Sequence, residues 1–437
     1  MQKQRTIILL LFIAGILFLM PGFYRNTWKV VEPERYENWQ FTVDRTVIAR
    51  LSKTRQDGFF SAGGLLGLGD AKKWNFDERT NKHQIAVYLE GRQFNSYFPY
   101  RSNPGFQGLV FGLIDSATNL PNAKNLKIFR GIVALGSAII LTLISLGLGL
   151  EFGWLSGILV LVFVGFVEWL ILPAGSIYWN LWSIYLPFIS SASTLAFKSK
   201  GNADREKMIF GALYIANVAK ILFSGFEVIT SVLIMSTVPF LYFAILEKWE
   251  RRVLLSRSLK LGTVLTAAVL TGLIILILQI WLVDETFSKS IQYILKTLDR
   301  RAIGDPADYT DYYAESMRAS TVSVVLKYLS IAAIKLHLNG WNFSITYLQL
   351  ILIFLFFTLV FLLCRRNTPD HQTTLKGKAL VAAMWYSILA PLSWFIVFKP
   401  TSYIHTAIFP MVWQMPFVLL GIALCGFVIL DLFNEQM

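Results

Sequence analysis

The sequence predicts an all-α polytopic membrane protein with about ten transmembrane helices, each near the ~20 residues a bilayer span needs. Three observations carry this. Of 437 residues, 55% are hydrophobic and only 15% charged, and mean hydropathy is +0.54, too little polar surface for a soluble domain. Long apolar runs alternate with short basic links, the pattern of a multi-span protein. The 34 phenylalanines and 13 tryptophans suit lipid-facing helices and their interfaces. A net charge of +13 would fit nucleic acid if it were gathered on a folded basic domain. It is spread through the links between apolar runs instead, so nucleic acid is not an expected partner.

The chain divides into an N-terminal membrane anchor (1–22), an extracytoplasmic loop with amphipathic helices (23–127), a transmembrane bundle (128–283), a second extracytoplasmic loop with an interfacial helix (284–343) and C-terminal transmembrane helices (344–437). Lys3 and Arg5 before the apolar run 7–20 resemble the start of a signal peptide. Pro21-Gly22-Phe23-Tyr24 is a poor cleavage site, which favours an uncleaved anchor with a cytoplasmic N-terminus, cleavage being the alternative.

In the first loop, Trp39, Val43, Val47 and Leu51 recur every four residues among Asp44, Arg45 and Arg50. That spacing predicts an amphipathic helix lying on the lipid or on the bundle. The glycines of 63–69 predict a break where backbone approaches another element closely. Residues 85–89 read as a short strand and 106–114 as a short helix. Spans follow near 129–150, 154–172, 179–197, 208–223, 228–246, 261–283, 344–363, 379–398 and 408–431. With these spans, Lys198, Lys200, Arg205 and Lys207, then Lys248, Arg251, Arg252, Arg257 and Lys260, then Arg365, Arg366, Lys376 and Lys378 all fall on the side of Lys3 and Arg5. The positive-inside rule makes that side cytoplasmic. Residues 322–336 are apolar but carry Lys327 and Lys335, costly in hydrocarbon, and read as an interfacial or re-entrant helix.

The two cysteines, Cys364 and Cys425, suggest neither a disulfide nor a zinc site. The reactive side chains converge on the outer face: Glu32, Glu34, Asp44 and Asp57 in the first loop, Glu168 at a span end, Glu227 in the bend 224–230 with Lys220 a turn before, the acidic run 305–311, and the turn 399–406 with Lys399, Tyr403 and His405. Most have a plain structural reading. Asp57 before Gly58 is a common turn pair, and 305–311 matches no calcium-binding loop. The Gly-rich stretch after Asp57 lacks the Lys-Ser/Thr of a phosphate loop. Taken together, the carboxylates can deprotonate a hydroxyl. Arg55, Arg101, Lys399 and His405 can hold a phosphate leaving group.

This layout, one span, a large outer loop with acidic residues and interfacial helices, then many spans, resembles the GT-C superfamily of integral-membrane glycosyltransferases. The resemblance implies transfer of a sugar from a polyprenyl-phosphate donor to an extracytoplasmic glycan, lipid or protein acceptor, with inversion, in a bacterial plasma membrane. It implies a base among Asp57, Glu34 and Asp44, and substrate or phosphate contacts from Arg55, Arg101, Glu227, Lys399, Tyr403 and His405. GT-C members often carry a tight acidic pair just after the first helix; here the nearest equivalent is Glu32-Pro33-Glu34. No metal ligand set is assigned, and a divalent cation stays open as a cofactor. The alternatives are a transporter or flippase of a lipid-linked saccharide, against which the sparse ionisable residues of the central spans argue, and a non-catalytic membrane scaffold.

Overall fold

A computed structural model describes residues 2–71, 78–197, 202–284, 286–309, 311–338, 341–364 and 371–436. Lys198, Lys200, Arg365, Arg366 and Thr310 of the acidic run lie outside them. In chain order the first helices are α1 (Gln2–Arg25), α2 (Pro33–Asp57), α3 (Glu78–Leu89), α4 (Phe106–Ala117) and α5 (Asn122–Phe152). Then come α6 (Trp154–Phe166), α7 (Glu168–Ala174), α8 (Leu181–Ala196), α9 (Asn202–Ser224), α10 (Ile229–Leu246) and α11 (Arg251–Asp284). A second extramembrane stretch holds α12 (Phe287–Leu298), α13 (Asp311–Arg318) and α14 (Thr321–Ser330). The chain finishes with α15 (Tyr347–Cys364), α16 (His371–Ser387), α17 (Leu389–Val397), the one-turn α18 (Lys399–Ile404) and α19 (Phe417–Gln436). Two small antiparallel hairpins, β1 (Gly67–Gly69) with β2 (Tyr97–Pro99) and β3 (Ala332–Leu338) with β4 (Trp341–Thr346), interrupt an otherwise helical chain.

The protein is a membrane-embedded, multi-pass helical bundle. Among the described residues, seven helices are long and apolar enough to cross a bilayer: α1, α5, α9, α10, α11, α15 and the run through α16 and α17. The pair α6–α7, bent by 68° at its break, brings the number to eight if it is one span. Helix α8, with 16 residues, and the apolar part of α19, Phe417–Phe433, are shorter than a full span. The last span was expected from residue 408, but a six-residue 3-10 segment, Phe409–Gln414, comes first. Pro410 and Pro416 lack the N–H a continuous α-helix needs there.

The links alternate between two ends of the bundle. At one end Arg205 and Glu247 pair at 3.4 Å, and Glu206 meets both Arg257 and Lys260. The α5–α6 link belongs to this end, with Glu151 on Lys376 at 3.1 Å. The described residues of the loops 26–121, 175–180, 225–228, 286–346 and 398–416 belong to the other end and include the residues treated below.

The amphipathic repeat of the first loop lies in α2, which is not a surface helix. The first hairpin, α3 and α4 fold over it, so its second half is buried on nearly every side, Asp44, Arg45 and Arg50 included. Val47, Ile48 and Leu51 build a second apolar core with Ile85, Tyr88, Phe111 and Phe129. Residues 85–89, expected as a strand, form the end of α3. Asn81, Gln84, Ile85 and Tyr88 are buried at a helical spacing that sets one face on α2, and Val87 is buried beside Ala49 and Phe94. The expected helix at 106–114 is α4. The 63–69 break behaves as anticipated. Gly63 has φ +63°, and a Cβ there would stand 2.3 Å from the Gln279 carbonyl oxygen of α11. Residues 322–336 were expected as one helix. Helix α14 ends at Ser330 instead, and Ile331 turns extended into β3.

Buried ions fasten the outer loops to the bundle. Asp44 accepts hydrogen bonds from Arg130 of α5 (2.9 Å) and Ser176 (2.8 Å). Glu168, at the α6–α7 bend, pairs with Arg35 (3.0 Å) and Lys335 (3.3 Å). Removing one partner of a buried pair strands the other, at a cost of several kcal/mol. Asp44→Ala should therefore destabilise the detergent-solubilised protein by about 3 kcal/mol, and Asp44→Leu combined with Arg130→Met should recover part of that loss. Thermal unfolding of the three proteins measures both; an Asp44→Ala midpoint equal to wild type would refute the fastening role.

Candidate functional site

Segments from all the loops of this second end enclose a cavity of about 810 Å³. Its walls come from α2 (Thr42, Val43, Arg45, Thr46), the stretch 98–102 after β2, Tyr178 and Trp179 before α8, Glu227 between α9 and α10, Tyr293 to Tyr313, and 401–409 after α17. The volume lies in the range of small-molecule sites.

Glu227 sits on a bend the backbone reaches only with left-handed residues, Gly225 (φ +63°) and Val228 (φ +50°). Gly225 is required twice over, since a Cβ there would lie 2.8 Å from Asn103. Fully buried Lys220 steadies the bend by donating to the carbonyls of Gly225 (2.8 Å) and Glu227 (2.5 Å). On the cavity side, Glu227 Oε1 accepts from Arg301 Nη1 at 3.1 Å, and Arg301 Nη2 donates to Tyr100 Oη at 3.0 Å. Thr401 Oγ1 donates to the Arg301 carbonyl at 3.3 Å, tying the 299–303 turn to α18. Burial works against the Arg301 charge, but Glu227 and Tyr100 outweigh it and hold its pKa above the ordinary arginine value.

His405 follows α18 and stands edge-on to Phe409 at 5.8 Å. The imidazole is ringed by protein yet open to the cavity. Enclosure pushes its pKa below the ordinary histidine value, Glu227 opposes this and Arg301 adds to it. Because the ring keeps access to water, the shift is smaller than in a sealed core, and its direction leaves His405 neutral at pH 7. Arg300 lies over the Tyr313 ring at 5.7 Å. The lining thus sets Arg300 and Arg301 against the carboxylate Glu227, a positive balance that favours an anion, while Arg45 donates to Asn81 at 2.5 Å. Three lining residues, Thr46, Ser102 and Trp179, bury Oγ1, Oγ and Nε1 without a hydrogen-bond partner among the described residues. Unpaired buried polar atoms are rare in folded chains and mark places where water or ligand completes the bonding.

Of the residues named from sequence, Glu227 and His405 meet in this cavity. Asp44 belongs to the same stretch of α2 but points away, sealed against α5; burial pushes its pKa up while Arg130 and Ser176 pull it back. Asp57 ends α2 in an ion pair with Lys53. Arg55 is taken up by Asp115 and Asn122 (both 2.5–2.6 Å), and Arg101 by Asp284 (2.5 Å) with Tyr293 beneath it. Lys399 donates to the Met317 carbonyl at 2.6 Å and Tyr403 to Glu315 at 2.5 Å, joining α18 to α13. Glu34 lines a separate, open groove of about 430 Å³ with Glu32, Arg35, Asn38, Trp39 and Thr42. That groove has few walls and only Thr42 in common with the cavity. Asp305 caps the short 306–308 turn by accepting from Ala307 N at 2.8 Å. Among the described residues no group of three or more His, Cys, Asp or Glu is gathered to hold a metal ion.

Sequence reading missed Arg300, Arg301, Tyr100 and Tyr178, the cations and phenols nearest Glu227. The Arg300-Arg301 pair was visible in the sequence, but nothing local distinguished it from the basic links. No protein-family model, no curated protein and no solved structure matches the chain.

The electrostatic arrangement can be read by titration. NMR of the His405 ring should give a pKa below the free histidine value of about 6.5. Glu227→Gln should lower it further by removing the nearby negative charge, and Arg301→Gln should raise it. A His405 that titrates normally and ignores both substitutions would show that the three groups do not share a site.

Proposed function

We propose that this chain is a GT-C-type glycosyltransferase of a bacterial plasma membrane, moving a sugar from a polyprenyl-phosphate donor to an acceptor hydroxyl outside the cytoplasm, with the Glu227–His405 cavity as its site. The observation that carries the reading is the company this cavity keeps. A neutral imidazole, an ion-paired carboxylate, the Arg300-Arg301 pair and aromatic walls line one space of sugar-phosphate size. In this reading the cytoplasmic N-terminus and the basic links lie on the opposite side.

In the proposed reaction His405 takes the proton of the acceptor hydroxyl. The acceptor oxygen attacks the anomeric carbon, the bond from that carbon to the phosphate oxygen breaks, and polyprenyl phosphate leaves with the electron pair. Arg300 faces the charge that grows on the departing phosphate. Arg301, already engaged by Glu227 and Tyr100, positions the carboxylate. The tyrosines and Trp179 give the sugar ring apolar walls. In this proposal His405 takes the base role that the superfamily resemblance assigns to a first-loop carboxylate, Glu227 stays in its pair with Arg301, and Asp57, Glu34 and Asp44 do not line the cavity.

The test is turnover of radiolabelled polyprenyl-phosphate sugars by the protein in proteoliposomes. His405→Gln and Arg300→Ala should each cost about 10²-fold or more in rate, whereas Asp57→Asn and Glu34→Gln should transfer as wild type does. The pH–rate profile should fall on the acid side as His405 becomes protonated, below the ordinary histidine range. Equal transfer by all four variants would remove the cavity as the site, and no transfer by wild type from any donor sugar would end the glycosyltransferase reading.

A further inference from the structure

Helix α12 presents three different faces. Phe287, Ile291, Leu295 and Leu298 recur at helical spacing and form one apolar stripe. Of these, Phe287, Leu295 and Leu298 are 50%, 60% and 46% exposed, so the stripe is left largely uncovered by the chain. Lys289 and Lys296 stand on the opposite face. On the third, Ser290 is buried, and Tyr293 and Ile294 pack beside Leu276 and Ile280 of α11. An exposed apolar stripe of this size in water would be an aggregation liability.

What covers it follows from where α12 starts. Helix α11 is a membrane-crossing helix of 34 residues that ends at Asp284, and α12 begins only three residues on, at Phe287. Trp281, in the last turn of α11, is 44% exposed and meets the Phe287 ring edge-on at 5.9 Å. Exposed tryptophan at the end of a span belongs at the level of the lipid headgroups, which sets the height of α12.

We propose that α12 lies in the interfacial layer of the bilayer, its Phe287–Leu298 stripe among the upper acyl chains and its lysines toward water, and that it is the lipid-seated wall of the cavity. The helix runs directly into the 299–303 turn that carries Arg300 and Arg301, and its own Tyr293 lines the cavity. The two arginines are therefore set at headgroup height, the level at which a lipid-borne phosphate travels. The seating itself stands on α11 and α12 alone and holds whatever the cavity binds.

Single cysteines at positions 287, 295, 298, 289 and 296, in a Cys364→Ser, Cys425→Ser background, would be labelled with an environment-sensitive fluorophore. The full-length protein would then be placed in vesicles of phosphatidylcholine and phosphatidylglycerol. Lipid-borne nitroxide should quench labels at 287, 295 and 298 several-fold more than aqueous iodide does, at a depth of roughly 5–10 Å, and the order should reverse at 289 and 296. Replacing Phe287 and Leu298 together by serine should shift the label at 295 toward iodide, with the thermal midpoint in detergent unchanged because both side chains are exposed. Iodide-dominated quenching at 295 would place the stripe in water. Protection from both quenchers would mean that another protein surface, such as a second copy of the chain, covers it. Either result overturns the proposal, and neither bears on the turnover measurements that test the transferase reading.

Discussion

A carboxylate with no access to water holds the outer part of this protein to its membrane part. Asp44 is fully buried, and its oxygens are met by Arg130 of the long span α5, the Ser176 hydroxyl and the backbone N–H of Tyr178. An ion taken out of water at this cost is tolerated only when charge and hydrogen bonds replace its hydration. That requirement fixes α2 against α5 and the 176–178 turn. Since Arg45 and Thr46 on one side of Asp44, and Tyr178 and Trp179 beyond the turn, all line the cavity, the same contact sets the spacing between two of its walls.

The remaining walls are set by backbone strain and by a second pair of ions. The Glu227 bend needs two left-handed residues and the ammonium of Lys220 across its carbonyls. Gly225 takes its conformation without steric cost, whereas Val228, β-branched at φ +50°, carries strain on the order of 1–3 kcal/mol, which tends to persist where function requires it. Arg301 then spans from Glu227 to Tyr100, and through its carbonyl to Thr401. One residue thereby joins the α9–α10 bend, the first loop and α18. The lining that results sets Arg300 and Arg301 against Glu227, a balance of charge that favours an anion.

The candidate site was legible only in part. Glu227 and His405 stood out because ionisable residues at the ends of apolar runs have few structural reasons to be there. The first-loop carboxylates stood out equally, but Asp44 is spent on Arg130 and Asp57 on its helical neighbour Lys53. Arg55, Arg101, Lys399 and Tyr403 were similarly taken up by Asp115, Asp284, Met317 and Glu315. Each of these partners but Lys53 is 60 or more residues away in the chain, beyond the reach of any local pattern. Residues 85–89 misled for a related reason: five apolar or aromatic residues in a row suit either strand or helix, and the face of α2 they pack on decided for helix.

What the sequence determined by itself is the solvent of each segment. Apolar length and charge density are properties of consecutive residues, and they suffice to mark a multi-pass membrane protein and to separate its long apolar helices from the polar loops between them. Only the tertiary structure decided which polar side chains are free to act. Pairing across a bundle depends on which helix ends meet, and that is settled by packing of distant segments and by the cost of leaving a buried charge without a partner.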